Sequence, residues 1–156
     1  MSGKANQEMY ARIAEHPFMA GLDREFLELI ARKTTERTYE RGDVLFREEE
    51  TAKEFFLIVH GKIALEVAPP EKNHLTIQTV QTGEVVGWSW LIPPYKWAFD
   101  ARVLKTTKVL AVDAAALREI LETHCKDAYQ FLIRLLPVIG TRLENTRLQL
   151  MDIYGV

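Results

Sequence analysis

Between residues 34 and 112 short β-rich runs recur, separated by turn signals at Arg41-Gly42-Asp43, His60-Gly61, Ala68-Pro69-Pro70, Thr82-Gly83 and Pro93-Pro94. Many short strands joined by frequent turns predict a sandwich or a roll. Ile63, Leu65 and Val67 alternate with Lys62, Ala64 and Glu66, the pattern of a half-buried strand. Phe55 to Val59 is a continuous apolar run, which predicts a strand buried on both faces.

Helical patterns flank this region. Met9, Ile13 and Ala14 share a face in a first helix that ends at His16-Pro17. A second helix follows Leu22-Asp23, with Asp23 as N-cap, Leu22 and Leu27 spaced as a hydrophobic staple, and Phe26, Leu27, Leu29 and Ile30 on its apolar face. Asp113 is an N-cap for a helix from Ala114 to Thr123, and a long helical stretch then runs from about Asp127 to Tyr154. In it Leu132, Leu136, Ile139, Leu143, Thr146, Leu150 and Ile153 fall at steps of four and three, a heptad seam that suits packing on the chain's own roll or, better for the distal half, a second copy of the chain. Pro137 is expected to kink this helix or split it in two. The expected organisation is one domain over 1–156: N-terminal helices in 1–33, a jelly-roll-like β-roll in 34–112, and C-terminal helices with a dimerisation helix in 113–156.

The chain has 156 residues, 47% hydrophobic and 27% charged, enough for one domain with a core. A formal net charge of −2 gives no basic footprint for nucleic acid or an acidic membrane. No apolar stretch reaches the ~20 residues needed to cross a bilayer, and the N-terminus lacks an apolar signal core. The single cysteine, Cys125, has no internal disulfide partner. These features predict a cytoplasmic protein.

The order of elements resembles the cyclic nucleotide-binding domain of the catabolite-activator (Crp/Fnr-like) regulators. Arg41-Gly42-Asp43-Val44-Leu45-Phe46 carries the likeness first, then Phe56 to Ile63, then Gly83-Glu84-Val85-Val86-Gly87, then Lys108 to Asp113 leading into a helix. The resemblance implies a regulatory role, no catalysis, and a phosphate-binding cassette over Gly83 to Ala101. In that family the cassette is a short helix and loop. Backbone N–H groups and an arginine hold the cyclic phosphate, and a glutamate holds the ribose.

Here the cassette departs from the pattern. With Gly87 matched to the glycine before the family's glutamate, the glutamate position is Trp88 and the arginine position is Trp97. A register on Gly83-Glu84 makes the cassette too long by about one helical turn. Two readings stay open. The aromatic residues fill the former pocket, leaving a scaffold that works through its dimer helix, or they wall an altered pocket for a planar ligand, cyclic nucleotide-like or another metabolite. The candidate ligand residues are Gly87, Trp88, Ser89, Trp90, Trp97, Ala98, Phe99 and Thr146. Thr146 enters through Arg142-Leu143-Glu144-Asn145-Thr146, similar to the family's Arg-Leu-x-x-Thr segment. Lys96 and Arg102 are the nearby cations that would replace the arginine. In a period-2 strand Trp97, Phe99, Ala101 and Val103 share one face, and Asp100 and Arg102 the other.

A roll also suits a cupin-like metalloenzyme, but the four histidines, His16, His60, His74 and His124, are scattered, so neither metal nor cofactor is expected. No residues remain after the dimer helix for a DNA-recognition helix, so direct DNA binding is not expected. The expected partners are a second copy along Leu136, Ile139, Leu143, Thr146, Leu150 and Ile153, a small ligand, and an unidentified downstream protein, with no membrane contact.

Overall fold

In the computed structural model, which describes residues 2–67 and 75–154, the β-rich region forms a jelly-roll-like antiparallel sheet. The strands are β1 (Thr34–Tyr39), β2 (Val44–Phe46), β3 (Glu54–Val67), β4 (Leu75–Gln81), β5 (Val85–Val86) and β6 (Asp100–Asp113). The strand order is β1-β6-β3-β4, with β2 pairing to β6 and β5 to β3. Helices α1 (Ser2–Glu15) and α2 (Arg24–Ala31) precede the sheet; α3 (Ala114–Thr123) and α4 (Cys125–Tyr154) follow it. The Ala68-Pro69-Pro70 turn and His74 lie outside the described residues, as does the side chain of Ile153.

His60-Gly61 is not a turn. β3 runs straight through it, with register shifts against β6 on both sides. Gly61 has φ +137, and a Cβ there would collide with Thr107 of β6. Only glycine permits both that backbone and that approach. The sequence signal was real, but the facing strand turned it into a bulge that bends the sheet. Phe55, Phe56, Leu57 and Ile58 are fully buried, as the apolar run predicts. The half-buried alternation predicted for 62–67 fails, since Ala64 and Glu66 are buried too. Glu66 is buried because Arg102 forks onto both of its oxygens, at 3.0 and 2.8 Å.

Asp113 caps α3 through the Ala116 N–H at 2.8 Å. Asp23 holds the N-cap position of α2 without a side-chain cap bond, so only half of that expectation stands. Leu22 and Leu27 are both buried. α4 is one unbroken helix through Pro137, so the chain does not split there. Proline removes one i→i−4 hydrogen bond and its ring crowds the carbonyl of residue i−4, and packing of α4 on the roll offsets that cost.

Five rings tie the layers together. Phe18 before α2, Phe26 of α2, Phe55 of β3, Trp90 and Phe131 of α4 meet at centroid distances of 5.1–6.4 Å, mostly edge to face. Edge-to-face pairs add to the area they bury. α4 is therefore anchored to the roll by its first half, through Ala128, Phe131 and Leu135.

Beside this cluster His16 is 5% exposed. The Phe18 N–H donates to its Nδ1, so Nε2 carries the proton and donates to the Ile58 carbonyl at 2.9 Å. Burial lowers its pKa below 6.5. The unfolded chain then takes up a proton that the folded chain refuses, so stability is full above about pH 6.5 and falls below it until the folded imidazole also titrates. The urea midpoint should drop from about pH 7.5 to about pH 5 in the parent and drop less in His16→Gln. Equal slopes in the two proteins would remove His16 from this role.

Candidate functional site: the cassette and the inner face of α4

The segment between β5 and β6 holds all three indoles. It contains no helix; turns close from Leu91 N–H to Trp88 O and from Tyr95 N–H to Ile92 O, each at 3.0 Å. The cassette helix that the resemblance implies is missing. Ile92 and Pro93 each precede a proline, which biases both away from the α region and leaves too few residues after Gly87 for a helix. No helix N-terminus is therefore offered to a phosphate.

The three tryptophans have separate fates. Trp90 is fully buried in the aromatic cluster, and its Nε1–H donates to Gly87 O at 3.1 Å. Trp97 is 3% exposed and stacks flat on Phe46, with centroids 3.6 Å apart and planes 7° apart, and next to Phe56. Its backbone is zipped to the loop after β2: Glu49 N–H donates to Trp97 O and Trp97 N–H to Glu50 O, both at 2.9 Å. Gly87, at φ +98, lies against the ring so closely that a Cβ would overlap Trp97 Cζ3. Trp88 is half-buried, and no described residue accepts from its Nε1–H.

Arg118 of α3 holds the outer side of the cassette. It donates to Trp90 O at 2.5 Å and lies 4.1 Å over the Tyr95 ring. Ser89 is buried, while Ala98 and Phe99 are half-buried. Neither replacement cation reaches the site. Lys96 is exposed, and Arg102 spends its fork on Glu66. The strand face expected from Trp97 to Val103 begins later, at Asp100, although Trp97, Ala101 and Val103 are buried and Arg102 is exposed as expected.

The model of the cyclic nucleotide-binding domain matches residues 36–124, more than half of the chain and including the whole cassette. The chain belongs to this family. The cyclic nucleotide-binding domain is a regulatory family, so the Crp/Fnr-like resemblance holds. The chain is 24% identical over 136 residues to the HTH-type transcriptional regulator Cmr of Mycobacterium tuberculosis (strain CDC 1551 / Oshkosh), covering 87% of this chain and 54% of that one. It therefore spans about half the length of that relative. A cyclic nucleotide-binding domain from Methylobacillus flagellatus KT has the same fold, with a TM-score of 0.77 and 19% identity over 95% of this chain and 85% of that one. So has the regulatory subunit of a cAMP-independent protein kinase A from Trypanosoma brucei, with a TM-score of 0.75 and 15% identity over 96% and 53%. Among the described residues no helix is long and apolar enough to cross a membrane.

One residue of this cyclic nucleotide-binding domain escaped the sequence reading as a site candidate. Arg142 of α4 is 3% exposed. Its Nε–H donates to Gln78 Oε1 of β4 at 3.3 Å, its Cζ lies 5.6 Å over the Phe99 ring, and no described residue accepts from Nη2. Burial lowers its pKa to about 10, with the Glu84 charge opposing the shift, so it stays protonated at neutral pH. A signal was present: Ala128, Phe131, Leu135, Val138 and Arg142 fall at steps of three and four, which puts one charge on the inward stripe. Thr146, taken from the same segment, donates instead to the Arg142 carbonyl at 2.9 Å, an ordinary back-bond within a helix.

Proposed function

We propose that this chain is a homodimeric regulatory module, without catalytic activity of its own, whose cassette state is read through α4. The observation that carries this reading is the contact of cassette Trp90 with Phe131 of α4, ring centroids 6.0 Å apart at 82°. A shift of the cassette displaces a ring wedged against the helix, and a neighbouring side of that helix is apolar and exposed. Leu136, Leu143 and Leu150 are 58%, 71% and 50% exposed, while Ile139 and Thr146 beside them are partly buried. These are positions of the heptad seam, one step round from the face packed on the roll.

Trp97 supports a second feature of this reading, that the module does not respond to an ordinary cyclic nucleotide as the resemblance implies. A phosphate needs a paired cation when buried, and position 97 holds an indole stacked into the core. The same burial favours the ligand-free scaffold for the phosphate arm, although the free N–H of Trp88 favours a ligand elsewhere in the cassette. A cupin-like enzyme has little support. Among the described residues no three His, Cys, Asp or Glu side chains gather to hold a metal. A cytoplasmic site of action is part of this proposal.

The test is mass in solution. Light scattering should give a dimer for the parent protein and a monomer for Leu143→Glu, with unchanged circular dichroism. A monomeric parent at micromolar concentration overturns the reading. Titration with cyclic AMP should give no saturable calorimetric heat; tight uptake would show that the cassette takes phosphate after all.

A further inference from the structure

A cavity of about 530 Å³ lies on the far flank of α4, against the chain between α1 and α2, strand β4 and the β4–β5 turn. With 3.6 residues per turn, Arg134, Pro137 and Thr141, which line it, fall on the side of α4 opposite Leu136, Leu143 and Leu150. None of the candidate cassette residues lines it, and neither does Arg142 or Thr146. Its size is that of a small-molecule site. Its walls are apolar: Pro17 and Phe18 before α2, Val80 and Val85 from the sheet, Pro137 and Val138 from the helix. Such walls suit an aliphatic body, because the Phe18 ring is already engaged edge-on by Phe55 and Phe131. Two charged side chains also line the cavity. Glu84 is committed, since its carboxylate accepts from the Gln81 N–H at 2.6 Å and its charge favours the protonated form of Arg142. Arg134 is half-buried, and its Nη1–H donates to the Phe18 carbonyl at 2.7 Å. No described carboxylate pairs with it, which leaves most of its five donors available.

We propose that this cavity binds a small aliphatic carboxylate, its chain against Val80, Val85 and Val138 and its acid group on Arg134. The chain supplies affinity by leaving water. The acid group supplies selectivity, because a guanidinium matches two carboxylate oxygens at once. The position of the cavity ties occupancy to α4. Pro137, on its lining, has no N–H to give the Ile133 carbonyl, so the helix is least tied to itself where the ligand lies. Before Pro137 the helix is anchored on the roll by Ala128, Phe131 and Leu135; after it come the exposed seam positions Leu143 and Leu150. Occupancy therefore biases the angle at which the distal helix presents its seam. This rests on the reading above, in which α4 carries the output, and it adds an effector class at a site apart from the cassette.

The probes are octanoate, butyrate and octan-1-ol, followed by calorimetry and thermal unfolding on the full chain. Octanoate should bind the parent protein saturably and raise its melting temperature. It should bind roughly tenfold or more tightly than butyrate, since each buried methylene is worth about fourfold. It should also bind roughly tenfold or more tightly than octan-1-ol, which brings no charge to Arg134. Arg134→Met should weaken octanoate by roughly tenfold or more. That change also removes the bond to the Phe18 carbonyl, so Thr141→Trp is the second variant. Thr141 is an exposed helix position on the cavity lip. A ring there should block octanoate and leave circular dichroism unchanged. Arg147→Met, at an exposed arginine on another side of α4, should bind octanoate as the parent does. No saturable uptake of octanoate, an alcohol as tight as the acid, binding that survives in either folded cavity variant, or equal loss in Arg147→Met each overturn the proposal. Mass is measured on the same samples. A dimer that ignores octanoate overturns only the ligand site, whereas a monomeric parent strikes the regulatory reading and leaves octanoate affinity, a property of one chain, to be judged by itself.

Discussion

Trp97→Ala should lower the unfolding free energy by about 3–5 kcal/mol, the range for truncating a buried aromatic ring. The ring is almost inaccessible, lies flat on Phe46, touches Gly87, and has its backbone tied on both sides to the loop after β2. That loop can collapse only partly into the space, so most of the penalty should remain. Urea unfolding of parent and variant measures it. Free indole at millimolar concentration should raise the variant's midpoint and leave the parent's unchanged, as expected of an apolar cavity shaped by the lost ring. A loss under about 1 kcal/mol would mean that Trp97 is a wall of an open pocket rather than part of the core.

Gly87→Ala should be nearly as severe. A φ of +98 is strained for any L side chain, at about 1–3 kcal/mol. The new methyl group also meets the Trp97 ring, and overpacking of this kind adds about 1–3 kcal/mol. The two terms separate in a double-mutant cycle. In the Trp97→Ala background the overlap is gone and only backbone strain remains, so Gly87→Ala should cost less there than in the parent. Simple additivity would show that glycine and ring do not compete for the same space. Together these two positions describe a cassette in which an indole, held by a glycine without a side chain, occupies the position that the resemblance assigns to a phosphate-binding arginine.

Much of the architecture was legible along the chain. The apolar run at Phe55 to Val59, the cap at Asp113 and the helical reading of the C-terminal stretch all read correctly, because each depends on residues close together in the chain. The missing arginine was legible too, since it requires only that position 97 be read as tryptophan. Within the candidate site legibility stopped at composition. Three indoles within ten residues predicted an aromatic cassette, and nothing in their spacing distinguished the one in the five-ring cluster from the one stacked on Phe46 and the one whose N–H has no acceptor among the described residues.

What the amino-acid order determined by itself is the run of strands and helices, the tryptophan at position 97, and the helical spacing of apolar residues along the C-terminal stretch. What only the tertiary structure decided depends on segments far apart in the chain. Arg102 reaches Glu66 across 36 residues, Arg142 reaches Gln78 across 64, and Gly61 is shaped by Thr107 on the facing strand. Local periodicity records which side of its own helix or strand a residue takes. Whether a charge on that side meets a partner, and whether a glycine makes a turn or a bulge, is set by the register between strands and by the helix laid across them.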